Sequence, residues 1–117
     1  MVADDSRFIR ALLTRLLTEN GYEVIEAEGG EEAIQAYRQV CPDAVLMDIA
    51  MPGKNGSVAL YEICSFDPNA KIIILSPLDQ QLIILRAMQA GAKDFLIKPF
   101  DPERVLIALD NVLRSVS

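Results

Sequence analysis

The chain has 117 residues, 51% hydrophobic and 24% charged, the size and balance of one globular domain with a real core. A net charge of −6 without a basic stripe excludes a nucleic-acid surface, and no apolar run approaches the roughly 20 residues of a membrane helix. With no histidine present, imidazole catalysis, phosphohistidine chemistry and most zinc sites fall away, leaving carboxylates, hydroxyls and lysine to do any chemistry. No signal-peptide pattern is visible, and Cys41 and Cys64 lack metal or redox spacing, so both are expected as free thiols in a cytoplasmic protein.

Met1-Val2-Ala3 is a very short apolar lead into Asp4-Asp5. Ser6 fits a helix N-cap, and Phe8, Ile9, Leu12, Leu13, Leu16 and Leu17 repeat at helical spacing until Asn20-Gly21 closes the helix. Tyr22–Ala27 reads as a short strand, and Glu31 and Glu32 then suit the first turn of a second helix. That helix ends near Val40, because Pro42 disfavours helical geometry in Cys41.

Ala44–Asp48 is a short apolar run with a carboxylate at its mouth, bounded by a loop of Pro, Gly and Asn. A helix is expected over 57–66 and a fully buried strand over Lys71–Leu75, ending at Ser76-Pro77. Asp79 is placed to cap a fourth helix that Gly91 terminates, and Asp94–Ile97 is a last strand stopped by Lys98-Pro99. Asp101 caps the final helix with Pro102 at its first position, and Val105, Leu106, Leu109, Val112, Leu113 and Val116 form the buried stripe. Strand and helix alternate five times within one domain, 1–117, and continuous apolar strands imply a parallel sheet covered on both faces. Ligand sites in such folds lie beyond the carboxyl ends of the strands.

The polar residues at the ends of the apolar runs therefore define the candidate site. Asp4 and Asp5 come after the first run, Asp48 after the third, Ser76 after the fourth and Lys98 after the fifth, while the second run, read as an edge strand, delivers no comparable group. Each alone reads as a cap, a turn or a solvated terminus; together they bring three carboxylates, a hydroxyl and an ammonium to one rim. Three carboxylates call for a divalent cation, and Mg2+ suits an all-oxygen set that also takes phosphate. A carboxylate beside such a metal can attack phosphorus, with the lysine and the hydroxyl holding the phosphoryl oxygens.

Taken together, the segments D-D-S, M-D-I-A-M-P-G-K-N-G, A-G-A-K-D-F and K-P-F resemble the receiver domain of bacterial two-component response regulators, of the stand-alone chemotaxis (CheY-like) type. The resemblance spans essentially the whole chain. It implies a flavodoxin-like (βα)5 three-layer sandwich with a parallel sheet of order 2-1-3-4-5. Asp48 matches the phosphoacceptor, Asp5 a direct metal ligand and Asp4 its neighbour acting through water. Ala50 matches a metal ligand through its backbone carbonyl, Ser76 the switch hydroxyl, Phe95 the aromatic switch and Lys98 the phosphoryl-pairing lysine, before a cis Lys98-Pro99 bond. The implied activity is Mg2+-dependent acceptance of a phosphoryl group on Asp48 from a histidine kinase or phosphotransfer protein. The domain is then a switch that assists its own phosphorylation and dephosphorylation rather than an enzyme. Its response is a reshaped surface of helix 4, strand 5 and helix 5 for a downstream protein. Leu82, Ile83, Ile84 and Leu85 are consecutive on helix 4 and cannot all face the core, so at least one is expected at a partner or dimer contact.

Two departures qualify the resemblance. Pro77 stands where a small residue is usual, and Ala50 and Leu78 carry no group to orient an attacking water, so a long-lived phosphoryl group is expected. The first strand is truncated to three apolar residues, which leaves core positions unfilled and a neighbouring strand without partners, and raises strand exchange or a homodimer as an alternative. A phosphorylation-independent interaction module of the same fold is the main rival. An aspartate-nucleophile phosphatase is a weaker one, since Ala50 sits where such enzymes carry an acid.

Overall fold

Each apolar run in this chain is too continuous to leave either face in water, and each following helix is amphipathic enough to cover one. The computed structural model describes residues 1–50, 56–77 and 80–114. Its elements are β1 (Val2–Ala3), α1 (Arg7–Glu19), β2 (Glu26–Ala27), α2 (Gly30–Val40), β3 (Val45–Asp48) and α3 (Gly56–Phe66), followed by β4 (Ile72–Pro77), α4 (Gln81–Ala90), β5 (Asp94–Lys98) and α5 (Pro102–Arg114). The strands pair in parallel in the order β2-β1-β3-β4-β5, the flavodoxin-like order that the resemblance implied.

Strand alternation divides the core in two. Ala3, Val45, Met47, Ile72 and Ile74 face α2, α3 and α4, where Ile34, Leu60 and Ile63 are buried. Val2, Leu46, Ile73 and Leu75 face α1 and α5, where Leu13, Leu17, Val105 and Leu109 are buried.

Most element ends fall where the residue chemistry puts them. The Ser6 hydroxyl accepts from the Ile9 N–H, and the α1 C-cap is Asn20. α2 stops at Val40 with Cys41 in the left-handed region at φ 49°. Gly91, at φ 127°, ends α4, and the Asp101 carboxylate accepts from the Glu103 N–H at 2.9 Å. The expected cap Asp79 lies outside the described residues, as do Pro52, Leu78 and Val116; the residue flanking α4 is Gln80.

Three expectations need correction. The Tyr22–Ala27 strand shrinks to Glu26–Ala27, because β2 ladders only against β1, which itself pairs through just Val2 and Ala3. β4 runs two residues further than expected because β5 pairs with it through Ser76 and Pro77. The six-residue stripe of α1 is too broad: Phe8 is 73% exposed and Leu12 is exposed, while Arg10, Leu13 and Leu17 form the buried line. On α4, Ile84 is buried and Leu82, Ile83 and Leu85 are exposed, as the four-residue apolar run required.

The helices are fastened unequally. The Tyr37 hydroxyl of α2 donates to Asp67 after α3 at 2.6 Å, and Arg38 lies 4.2 Å over the Phe66 ring. α4 buries Ile84 and Ala87, whereas α2, α3 and α5 each bury four residues.

A groove of about 660 Å³ lies at the amino end of β1, and its lining includes Met1, Leu17, Val24, Ile25, Leu46 and Leu109. The Met1 amine reaches into this region and donates to the Ala44 carbonyl at 2.8 Å. Burial lowers its pKa from 8.0 to about 6, against an opposing pull from Asp43. Gly56 supplies a test of the packing around Asp48. A Cβ there would overlap the Asp48 carbonyl and stand 2.7 Å from Ile49 Cα. Gly56→Ala should cost about 1–3 kcal/mol in urea unfolding; unchanged stability would contradict this packing.

Candidate functional site

The parallel register delivers the polar residues to one rim. Asp4 follows β1 directly, Asp48 closes β3, Ser76 is the penultimate residue of β4 and Lys98 closes β5. Pairing of Asp48 with Leu75, and of Pro77 with Lys98, aligns these strand ends. Asp4, Asp48 and Ser76 are buried, while Asp5 is exposed at the mouth.

Every polar group of Asp4 has a partner. Its N–H donates to the Ala27 carbonyl at 3.1 Å. Oδ1 accepts from the Ser6 N–H at 2.8 Å, Oδ2 from Lys98 Nζ at 3.0 Å, and its carbonyl from Arg10 Nη1 at 2.8 Å. Asp48 Oδ1 accepts from the Ala50 N–H at 3.1 Å, and Oδ2 lies 3.4 Å from Lys98 Nζ. Lys98 thus bridges the two buried carboxylates.

Burial is the main force raising the Asp48 pKa, helped by the charge of Asp4 and the side chain of Asp5; the Ala50 N–H and Lys98 oppose it. One ammonium cannot neutralise three carboxylates. Asp4, Asp5 and Asp48 each offer an oxygen, and these oxygens lie within 4.8 Å of one another. This all-oxygen, carboxylate-rich set fits a hard divalent cation, which would supply the missing charge.

The remaining candidates fall around this cluster. The Ser76 hydroxyl donates to the Pro77 carbonyl at 3.1 Å, an orientation set by its own strand end. Ala50 is held next to Asp48 by its N–H, which brings the start of the following loop to the pocket. Phe95, on β5, is 38% exposed. The Lys98-Pro99 peptide is cis, as the resemblance implied. Cys41 and Cys64 are free thiols.

Sequence reasoning missed two features. It assigned Lys98 to phosphoryl oxygens and did not foresee that the ammonium bridges Asp4 at 3.0 Å and Asp48 at 3.4 Å. It also passed over Arg10, which is buried beneath the acidic pair and paired with Glu26 and Glu28 at 3.3 Å each. The signal was available: Arg10 stands three residues before Leu13 and seven before Leu17, on the buried line of α1, and two glutamates surround the end of β2.

Comparison with known proteins agrees with this geometry. The chemotaxis protein CheY of Thermotoga maritima is 49% identical over 113 residues, covering 96% of this chain and 94% of that one. CheY of Bacillus subtilis is 45% identical over 114 residues, covering 97% and 95%. The receiver domain of NtrX from Brucella abortus superposes with a TM-score of 0.94 at 28% identity, covering 98% of each chain. A CheX-CheY-BeF3-Mg2+ complex from Borrelia burgdorferi matches with a TM-score of 0.91 at 36% identity, covering 97% of this chain and 87% of that one. No helix among the described residues is long and apolar enough to cross a membrane. Residues 1–110 match the family description "response regulator receiver domain", and the chain belongs to that family.

Proposed function

We propose that this domain accepts a phosphoryl group on Asp48 from a partner histidine kinase or phosphotransfer protein and passes the signal to a second protein through α4, β5 and α5. The observation that carries this reading is the shared pocket: a buried nucleophile-grade carboxylate, two further carboxylates beside it, and one lysine bridging Asp4 and Asp48. The domain has no histidine, so the donor phosphohistidine comes from outside. An Asp48 oxygen attacks phosphorus, the P–O bond forms as the P–N bond breaks, and the imidazole leaves carrying its proton.

Asp5, Asp48 and the Ala50 carbonyl are the residues that would hold Mg2+, with Asp4 behind them. The ion would supply positive charge to the phosphoryl oxygens as they transfer. Lys98 already lies 3.4 Å from Asp48 and needs little movement to pair with the added charge of about −1.5 to −2. Ser76 would exchange its Pro77 acceptor for a phosphoryl oxygen. The exposed Leu82, Ile83 and Leu85 lie on α4, which follows Ser76, and Phe95 lies on β5, which ends at Lys98, which makes them the surface through which the change is read. The Borrelia burgdorferi complex, with CheX, BeF3 and Mg2+ on a CheY of this fold, supports both the cation and a protein partner.

Incubation with acetyl phosphate and Mg2+ should add one phosphoryl group by intact mass, and Asp48→Asn or EDTA should abolish it. Absence of labelling in the wild-type chain would favour the phosphorylation-independent module. The lifetime of the product is a separate expectation. Ala50 is an exposed apolar residue beside Asp48, and Pro77 closes β4 opposite Lys98, so little orients an attacking water. The phosphoryl group should outlast seconds, and Ala50→Glu should shorten its lifetime by about tenfold or more; loss within seconds from the wild type would refute the expectation.

A further inference from the structure

Arg10 occupies an unusual position for an arginine. Among the described residues it is the one arginine or lysine that is buried, at 8% exposure, and its guanidinium makes three directed contacts. Nη1 donates to the Asp4 carbonyl at 2.8 Å, Nε lies 3.3 Å from Glu26 and Nη2 3.3 Å from Glu28. A guanidinium in this setting has given up much of its hydration, so the arrangement persists because the fork is satisfied on both sides.

The consequence for the pocket comes from backbone geometry. β1 ladders to β2 through two residue pairs, and the last main-chain bond on that side runs from the Asp4 N–H to the Ala27 carbonyl at 3.1 Å. Beyond it the chain leaves the sheet. The next peptide, from the Asp4 carbonyl to the Asp5 nitrogen, has no ladder partner in β2; Arg10 takes that place. A peptide unit is planar, so fixing the Asp4 carbonyl fixes the direction in which Asp5 departs. The Asp4 side chain is tied independently by Ser6 and Lys98, whereas the exposed Asp5 depends on its backbone to keep its carboxylate near Asp4 and Asp48.

We propose that Arg10 is a positioning residue for the divalent cation: it locks the Asp4–Asp5 peptide so that the Asp5 carboxylate faces the pocket, and Glu26 and Glu28 hold the guanidinium in that pose. This rests on the reading of the acidic pocket as a Mg2+ site. It places the support for a metal ligand on α1 and on the edge strand, outside the cluster of strand-end residues.

The test is titration calorimetry of Mg2+ alone into the full chain, without phosphodonor, for the wild type, Arg10→Met, Arg10→Lys and Leu109→Ala. Leu109 is buried against the sheet away from these contacts, so its truncation reports lost stability without lost positioning. Arg10→Met should weaken Mg2+ binding by about tenfold to a hundredfold, the range seen when a group orienting a metal ligand is removed. Arg10→Lys, which keeps one donor for the Asp4 carbonyl, should recover most of that loss, and Leu109→Ala should bind Mg2+ as the wild type does. Wild-type affinity in Arg10→Met, or equal weakening in Arg10→Met and Leu109→Ala, overturns the proposal. Where Arg10→Met does not fold, Arg10→Gln, whose shorter side chain stops short of the Asp4 carbonyl, is read in its place by the same criterion. A wild-type chain that binds Mg2+ in an Arg10-dependent way but takes no phosphoryl group overturns the phosphoacceptor reading and leaves this one standing.

Discussion

The mutual repulsion of Asp4, Asp5 and Asp48 is the constraint on which the rest of the pocket depends. Two of the three are buried, and a buried carboxylate that lacks compensation is among the costlier things a fold can contain. Lys98 compensates part of it by lying between Asp4 and Asp48. Backbone N–H groups compensate more, from Ser6 to Asp4 and from Ala50 to Asp48. What is left over is negative charge at an open mouth, and a site in that condition is suited to a cation.

The sheet makes this arrangement inexpensive to build. Parallel strands place their carboxyl ends on one side, so a single polar residue appended to each of several apolar runs gathers into a cluster without any long loop having to fold over it. Gly56 completes the arrangement from below, because its missing side chain lets the start of α3 approach the carbonyl of Asp48. Asp48 is therefore fixed through its backbone from one side and through its carboxylate from the other. Asp5, by contrast, is exposed and takes its place from the peptide that precedes it.

Much of this was legible in the residue order. The alternation of apolar strands with amphipathic helices gave the layers, capping residues such as Ser6, Gly91 and Asp101 marked helix ends, and the acidic, hydroxyl and lysine residues after the apolar runs named the pocket. The strand order came from family resemblance, since periodicity does not encode which strands are neighbours. What escaped was pairwise and three-dimensional. The residues from Tyr22 to Val24 look like strand by composition, yet a two-residue β1 reaches back only to the Ile25 carbonyl, which accepts from the Val2 N–H at 2.8 Å. Phe8 and Leu12 look like core by spacing, yet the helix turns its Arg10 line inward because the acidic pair and two glutamates need a cation there. Hydrophobic periodicity assigns charge to solvent by default, and Arg10 is where that default fails.

The unequal fastening of the helices has a mechanical consequence. α2 and α3 are riveted to each other by the Tyr37–Asp67 hydrogen bond and by Arg38 over Phe66. On the same face of the sheet, α4 rests on Ile84 and Ala87 and turns three large apolar side chains outward. Moving α4 therefore uncovers two buried residues where moving α2 or α3 uncovers four.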